Sequence, residues 1–296
     1  MTVLPDTLCE LNGELLPLSQ AKVSVMDRGF LFGDGVYEAM PVYGRRVFRF
    51  EEHLARLARN LEKLRIPPPF GREELLARVR RLIAAQPADD QFLYLQVTRG
   101  VAMRDHVMPA DLVPTVFIMS NPLKPVAAEA RHQGVECVSA RDFRWERADL
   151  KCTSLLGNVL ARQIAADAGA AETILFREGA PGGPWLTEAS SSNVWIVLEG
   201  ALLGPAMNEH VLEGIRVELL RELCEEEGIA YNLRPISEAD VRVADEVLLS
   251  SSGKEVLAVT RLDGEPVGHG ALRGKPGPVY GRLYEAYQRA KREQCI

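Results

Sequence analysis

Apolar residues recur along this chain with two distinct periods. In EEHLARLARNLEKLRI, Leu54, Leu57, Leu61 and Leu64 fall three and four apart with charges between them, which predicts an amphipathic helix. REELLARVRRLIAAQ repeats the pattern through Leu75, Leu76, Val79, Leu82 and Ile83, after the prolines of IPPPFG have ended the first helix. FLYLQVTRG and VPTVFIMSN are strand-length apolar runs, and Asn12-Gly13 and Tyr43-Gly44 mark hairpins among short β-like pieces. The prolines of NPLKP read as a connector and put a boundary near residue 125, with a smaller domain over 1–124 and a larger one over 125–296. Beyond it come a strand (VECVSARDF), an amphipathic helix after Lys151, then ETILFRE and SSNVWIVLEGALLG as strands. A helix at EGIRVELLRELCEEEGI, the strand DEVLLSS, a hairpin around LDGEP and a C-terminal helix complete the order. Strands and helices mix without strict alternation, which predicts an α+β fold rather than a doubly wound sheet.

Composition narrows the function classes. The chain has 296 residues, 47% hydrophobic and 26% charged, enough for two domains with proper cores. A net charge of -6, with no Lys/Arg block free of acids, argues against a nucleic-acid partner. The N-terminal stretch MTVLPDTLCELNGELLPLSQAKVSV has no basic start and no apolar run, so no signal peptide is expected. No uncharged apolar run of about 18 residues predicts a membrane span. An odd set of five cysteines without a C-x-x-C pair reads as free thiols in a reducing cytoplasm. The five histidines share no ligand spacing, so no metal is expected.

The chemistry concentrates in a few short segments. Lys151, in ADLKCTSLLGN, follows Phe143, Trp145 and Leu150 and precedes a helix, so its amine is expected to face an enclosed space. An amine so placed can shed its proton and form a Schiff base. Glu188, in TEASSSNVWIV, stands at the start of an apolar strand, where a carboxylate can keep a pyridine nitrogen protonated. Such an amine and acid are the two fixed points that pyridoxal phosphate needs. Ser190, Ser191, Ser192 and Asn193 offer groups to orient a ring, or form a plain turn. Gly214, Ile215 and Arg216 open a helix whose amides can face an anion, and Ser251 and Ser252 add hydroxyls after a strand. Both elements are also ordinary caps. Arg104 and His106, two apart, can clamp a carboxylate or belong to a charged surface loop. DRGFLFGDGVYE lacks the G-K-[ST] of a phosphate loop and reads as a loop packed against the site.

Taken in order, DRGFLFGDGVYE, EEHLARL, VTRG, DLKCTSLLGN, TEASSSNV, LEGI and DEVLLSSSGKEV resemble the landmarks of the fold-type IV pyridoxal-phosphate enzymes over nearly the whole chain. That resemblance implies the two-domain fold of those enzymes, with Lys151 as Schiff-base lysine and Glu188 on the pyridine nitrogen. It implies Arg56 on the phosphate together with the amides of Gly214, Ile215 and Arg216, the hydroxyls of Ser251 and Ser252, and Leu212 against the ring face. Ser191 belongs to the same cofactor set. Arg104, His106 and Tyr37 resemble the substrate-carboxylate trap of the D-amino-acid aminotransferases. An amino acid such as D-alanine and a 2-oxo acid such as 2-oxoglutarate are then the expected substrates. The resemblance also implies a homodimer in which Arg104 and His106 reach the other subunit's site. The family's alternatives are a branched-chain L-amino-acid aminotransferase and an aminodeoxychorismate lyase; a non-enzymatic binding protein is the remaining one. Where that family usually reads Gly-Ile/Val-Thr-Arg, this chain has Gly214-Ile215-Arg216-Val217, so Arg216 either meets the phosphate or points to solvent.

Overall fold

In a computed structural model that describes residues 6–179 and 183–296, the chain divides into two compact units. The first takes the residues up to Lys124, together with Leu150–Leu155 and Gln294–Ile296. The second takes Pro125–Asp149 and Leu156–Glu293.

The Asn12-Gly13 turn of the first unit joins β1 (Leu8–Leu11) to β2 (Glu14–Pro17), and Asp27 caps the short α1 (Arg28–Phe32) by accepting from the Gly29 amide. Next come β3 (Gly35–Tyr43), β4 (Arg46–Val47), α2 (Phe50–Lys63), α3 (Arg72–Ala85), β5 (Gln91–Thr98) and β6 (Thr115–Pro122). They form a sheet in the order β2-β1-β6-β5-β3-β4. Alternate residues of β5 turn inward, so Leu93, Leu95 and Val97 join Val36, Met40, Val116 and Ile118 in one core. Leu57 and Leu61 of α2, with Leu75, Val79, Leu82 and Ile83 of α3, close over it, as the periodicity predicts. Each such leucine contributes about 1.5–3 kcal/mol by leaving water.

The remaining pieces of this unit arrive from far along the chain. Val36 bridges to Cys152, and the Val47 and Ile296 backbones exchange hydrogen bonds of 2.9 and 3.0 Å.

The second unit holds α4 (Ala128–Gln133), β7 (Val135–Arg141), α5 (Leu156–Asp167), β8 (Glu172–Arg177), β9 (Trp185–Ala189), β10 (Asn193–Leu198), β11 (Ala201–Gly204) and α6 (Ile215–Glu226). It continues with β12 (Tyr231–Leu233), α7 (Glu238–Arg242), β13 (Glu246–Ser251), β14 (Glu255–Leu262), β15 (Glu265–Pro266) and α8 (Pro278–Glu293). Its sheet runs β12-β11-β10-β13-β14-β7-β8-β9, with β15 on β14, and pairs strands both parallel and antiparallel. Ile174, Leu186, Val194, Ile196, Val247 and Leu249 form its core. The α+β class therefore holds. SSNVWIVLEGALLG is two strands rather than one, split where Glu199 and Gly200 turn with φ of 50° and 78°. Glu188 lies inside β9, not at the mouth of β10, because the three serines break the run that sequence alone joins to the later strand.

Among the described residues, no helix is long and apolar enough to cross a membrane, and no group of three or more His, Cys, Asp or Glu is placed to hold a metal ion.

Candidate active site

In the first unit, the segment around Lys151 lies alongside the start of β3. Tyr37 N–H donates to the Lys151 carbonyl at 3.0 Å, and Thr153 N–H donates to the Gly35 carbonyl at 3.0 Å. Gly35 leaves room for its neighbours, since a Cβ there would stand 2.7 Å from the Val97 carbonyl oxygen. Asn60 of α2 accepts from Lys151 N–H at 3.1 Å and donates to the Arg56 carbonyl at 2.9 Å. The half-buried Lys151 side chain puts Nζ 4.0 Å from the centre of the Tyr37 ring, and Tyr37 stacks in turn on Tyr94. In the second unit, Phe143 is 38% exposed and Trp145 49%, so neither is a core residue. Both lie outside β7 and α5, in an irregular stretch that no pattern orients.

The buried stripe of α2 is partly polar. His53, Arg56 and Asn60 share it with Phe50, Leu57 and Leu61 at helical spacing. Arg56 donates to both oxygens of Glu38, Nε at 2.8 Å and Nη2 at 2.7 Å, and His53 Nδ1 lies 2.7 Å from the same carboxylate. Burial alone would raise the Glu38 carboxyl, but Arg56 and His53 outweigh it and hold it far below the ordinary glutamate value. Glu38 and His53 were not singled out from sequence; for His53 the available signal was a polar residue on the core-facing side of an amphipathic helix, and Glu38, in β3, had no such signal. Arg104 and His106 are exposed and share one aromatic partner, Phe32. Its ring centre is 5.3 Å from the Arg104 guanidinium and 5.5 Å from the His106 ring.

In the second unit, Glu188 is buried and accepts from Arg144 and, at 3.1 Å, from the Leu212 amide. Burial raises its carboxyl, and Arg144 pulls it only part of the way back. Arg144 divides its donors, because Nε and Nη2 bind Asp142 at 3.0 and 2.9 Å. Neither Arg144 nor Asp142 was read as functional, although D-x-R in ARDFRWER was visible.

Leu212 is held from both sides, since Asn193 Nδ2 donates to its carbonyl at 3.0 Å. Gly214 then begins α6, where a Cβ would fall 2.0 Å from Asn193 Oδ1. No side chain caps this helix, so the amides of Ile215 and Arg216 are presented with the helix dipole behind them. The Arg216 side chain does not point to solvent. It is buried, and Nε donates to Tyr287 Oη at 2.9 Å. Ser251, the last residue of β13, and Ser252, which follows it, are half-buried, and Ser251 Oγ accepts from Lys254 N–H at 3.2 Å. Ser191 Oγ donates to Glu172 at 2.5 Å, which commits its hydroxyl hydrogen and leaves only its oxygen for other partners.

Taken unit by unit, the residue types suit pyridoxal phosphate: the first unit offers a lysine amine and a buried arginine, the second a buried acid and an uncapped helix start behind a closely packed glycine. Residues 35–262 match the Amino-transferase class IV family. The chain is 36% identical to a D-alanine aminotransferase of Bacillus licheniformis over 277 residues, 94% of each chain. It is 34% identical to a D-alanine aminotransferase of Staphylococcus haemolyticus, across 94% of this chain and 96% of that one. Among solved structures, the branched-chain amino acid aminotransferase of Escherichia coli is similar with a TM-score of 0.87 and 25% identity, covering 96% of this chain and 94% of that one. A T.th. branched-chain amino acid aminotransferase solved with pyridoxamine 5'-phosphate has the same fold, with a TM-score of 0.85 and 22% identity over 99% of this chain and 96% of the other.

Proposed function

The chain belongs to the Amino-transferase class IV family, and on that premise we propose that it transfers the amino group of a D-amino acid, such as D-alanine, to a 2-oxo acid, such as 2-oxoglutarate. Its cofactor is pyridoxal 5'-phosphate, which supplies an electron-accepting ring for the pair left on the substrate α-carbon. Lys151 holds the cofactor and its Nζ takes the α-proton and returns it. Glu188, as a carboxylate, would pair with the pyridine nitrogen and favour the protonated form of the ring. Arg56, the Gly214 to Arg216 amides and the Ser251 and Ser252 hydroxyls hold the phosphate, and Leu212 meets the ring.

The observation that carries the choice of D-amino acids is the pairing of Arg104 and His106 over one ring, Phe32. Two donors that each rest against the same ring suit a carboxylate. The likeness to branched-chain enzymes is looser in sequence, 25% against 36% for the D-alanine enzyme. The protein is proposed to act as a homodimer in the cytoplasm, with Arg104 and His106 serving the partner's site and Tyr37 its own.

The decisive assay offers 2-oxoglutarate with D-alanine or with L-leucine. Pyruvate formed from D-alanine, and no reaction with L-leucine, is expected; the reverse overturns the reading. Pyruvate released from aminodeoxychorismate without any acceptor would mark a lyase instead. Lys151→Ala should lose both activity and the visible absorbance of the loaded protein. Mixing Lys151→Ala with Arg104→Ala chains should restore activity, since each hybrid dimer then has one complete site. No recovery after subunit exchange would rule out sharing.

A further inference from the structure

Glu172, at the start of β8, is fully buried, and donors converge on it from two turns. Ser190 Oγ, Ser191 N–H at 3.1 Å, Ser191 Oγ at 2.5 Å and Ser192 Oγ at 2.9 Å all come from the turn between β9 and β10. Lys254 Nζ, at 2.5 Å, comes from the turn between β13 and β14. Lys254 also reaches Ser191 Oγ at 3.1 Å, while its own N–H binds Ser251 Oγ at 3.2 Å. One lysine thus ties the turn carrying Ser251 and Ser252 to the turn that follows Glu188.

The serine turn is coupled onward at both ends. Ala189 N–H donates to the Ser192 carbonyl at 2.7 Å, next to Glu188. Asn193, the residue after the turn, binds the Leu212 carbonyl, and the Leu212 amide returns to Glu188. A shift of the turn therefore moves the acid on one side and the bend into α6 on the other.

We infer that Glu172 and Lys254 are a positioning pair, which sets the serine turn and the Ser251–Ser252 turn in fixed register before the cofactor arrives. The inference rests on the cofactor reading above and gives neither residue a contact with the cofactor. A buried ion pair adds little net stability over neutral groups of similar size. Its effect is expected in binding, through preorganisation.

The test compares wild type, the double variant Glu172→Gln/Lys254→Met and Lys254→Arg, each as full-length protein stripped of cofactor. Pyridoxal 5'-phosphate is titrated in while tryptophan fluorescence and visible absorbance are followed, and each stripped protein is melted separately. The double variant should melt near wild type yet bind about tenfold or more weakly, and Lys254→Arg should stay within about threefold of wild type. Wild-type affinity in the double variant overturns the inference. So does weaker binding that only tracks a collapsed melting temperature in both variants. If wild type itself takes up no cofactor, the parent reading falls, and that titration identifies the failure as such.

Discussion

Glu38 in the first unit and Glu188 in the second are both buried and both bound to a buried arginine, yet their proton affinities move in opposite directions. Arg56 gives Glu38 two hydrogen bonds, and His53 adds a third contact. Arg144 gives Glu188 one and spends the rest of its fork on Asp142. Asp142 wins that division: burial would raise it, but Arg144 and Thr187 hold it below the ordinary aspartate value. A carboxylate that takes two hydrogen bonds from its arginine and a third contact from a histidine is pinned in the charged state. One that shares its arginine with a second acid is held less firmly in that state.

Breaking the poised side should have the largest effect. Glu188→Gln is expected to lower kcat/KM by about 10²–10⁴-fold while the cofactor-free protein melts no lower than wild type. A clear loss of melting temperature would mean that Glu188 stabilises the fold and the contrast with Glu38 is false. Breaking the pinned side should act on stability instead. Glu38→Gln removes the charge buried against Arg56 and should cost about 3–5 kcal/mol, measured by urea denaturation.

Acidity sharpens the same contrast at smaller scale. The folded-state pKa of Glu38 is depressed, so its contribution is complete above the unfolded value and lost as pH falls through the lowered one. Glu188 is raised, so its contribution is complete below the unfolded value, 4.5 for a glutamate, and lost as pH rises through the folded one. Urea melts should therefore show Glu188→Gln gaining on wild type as pH rises from the ordinary carboxylate range. Asp142→Asn removes the competing charge on Arg144 and should flatten that trend, the smallest of these effects. An unchanged trend would remove Asp142 from the comparison.

Much of this fold was legible because it is local. Leu75, Leu76, Val79, Leu82 and Ile83 announce α3, and the seven landmark segments announce the family. The short α4, α7 and β12 carry too few residues for a period to emerge. The principal candidate residues were legible as residue types, Lys151 and Glu188 above all. Their supporting partners were not. Glu172 meets Ser190, Ser191 and Ser192 only because β8 and β9 pair antiparallel, and Arg56 meets Glu38 only because α2 packs on β3. Those meetings depend on strand register and helix placement, which no single segment encodes.

The last stretch that completes the first unit, Gln294–Ile296, bonds to Val47, a residue translated far earlier. During synthesis the sheet edge at β4 must wait while the entire second unit emerges from the ribosome. Vectorial folding therefore cannot finish this protein in domain order: the unit that begins first closes last.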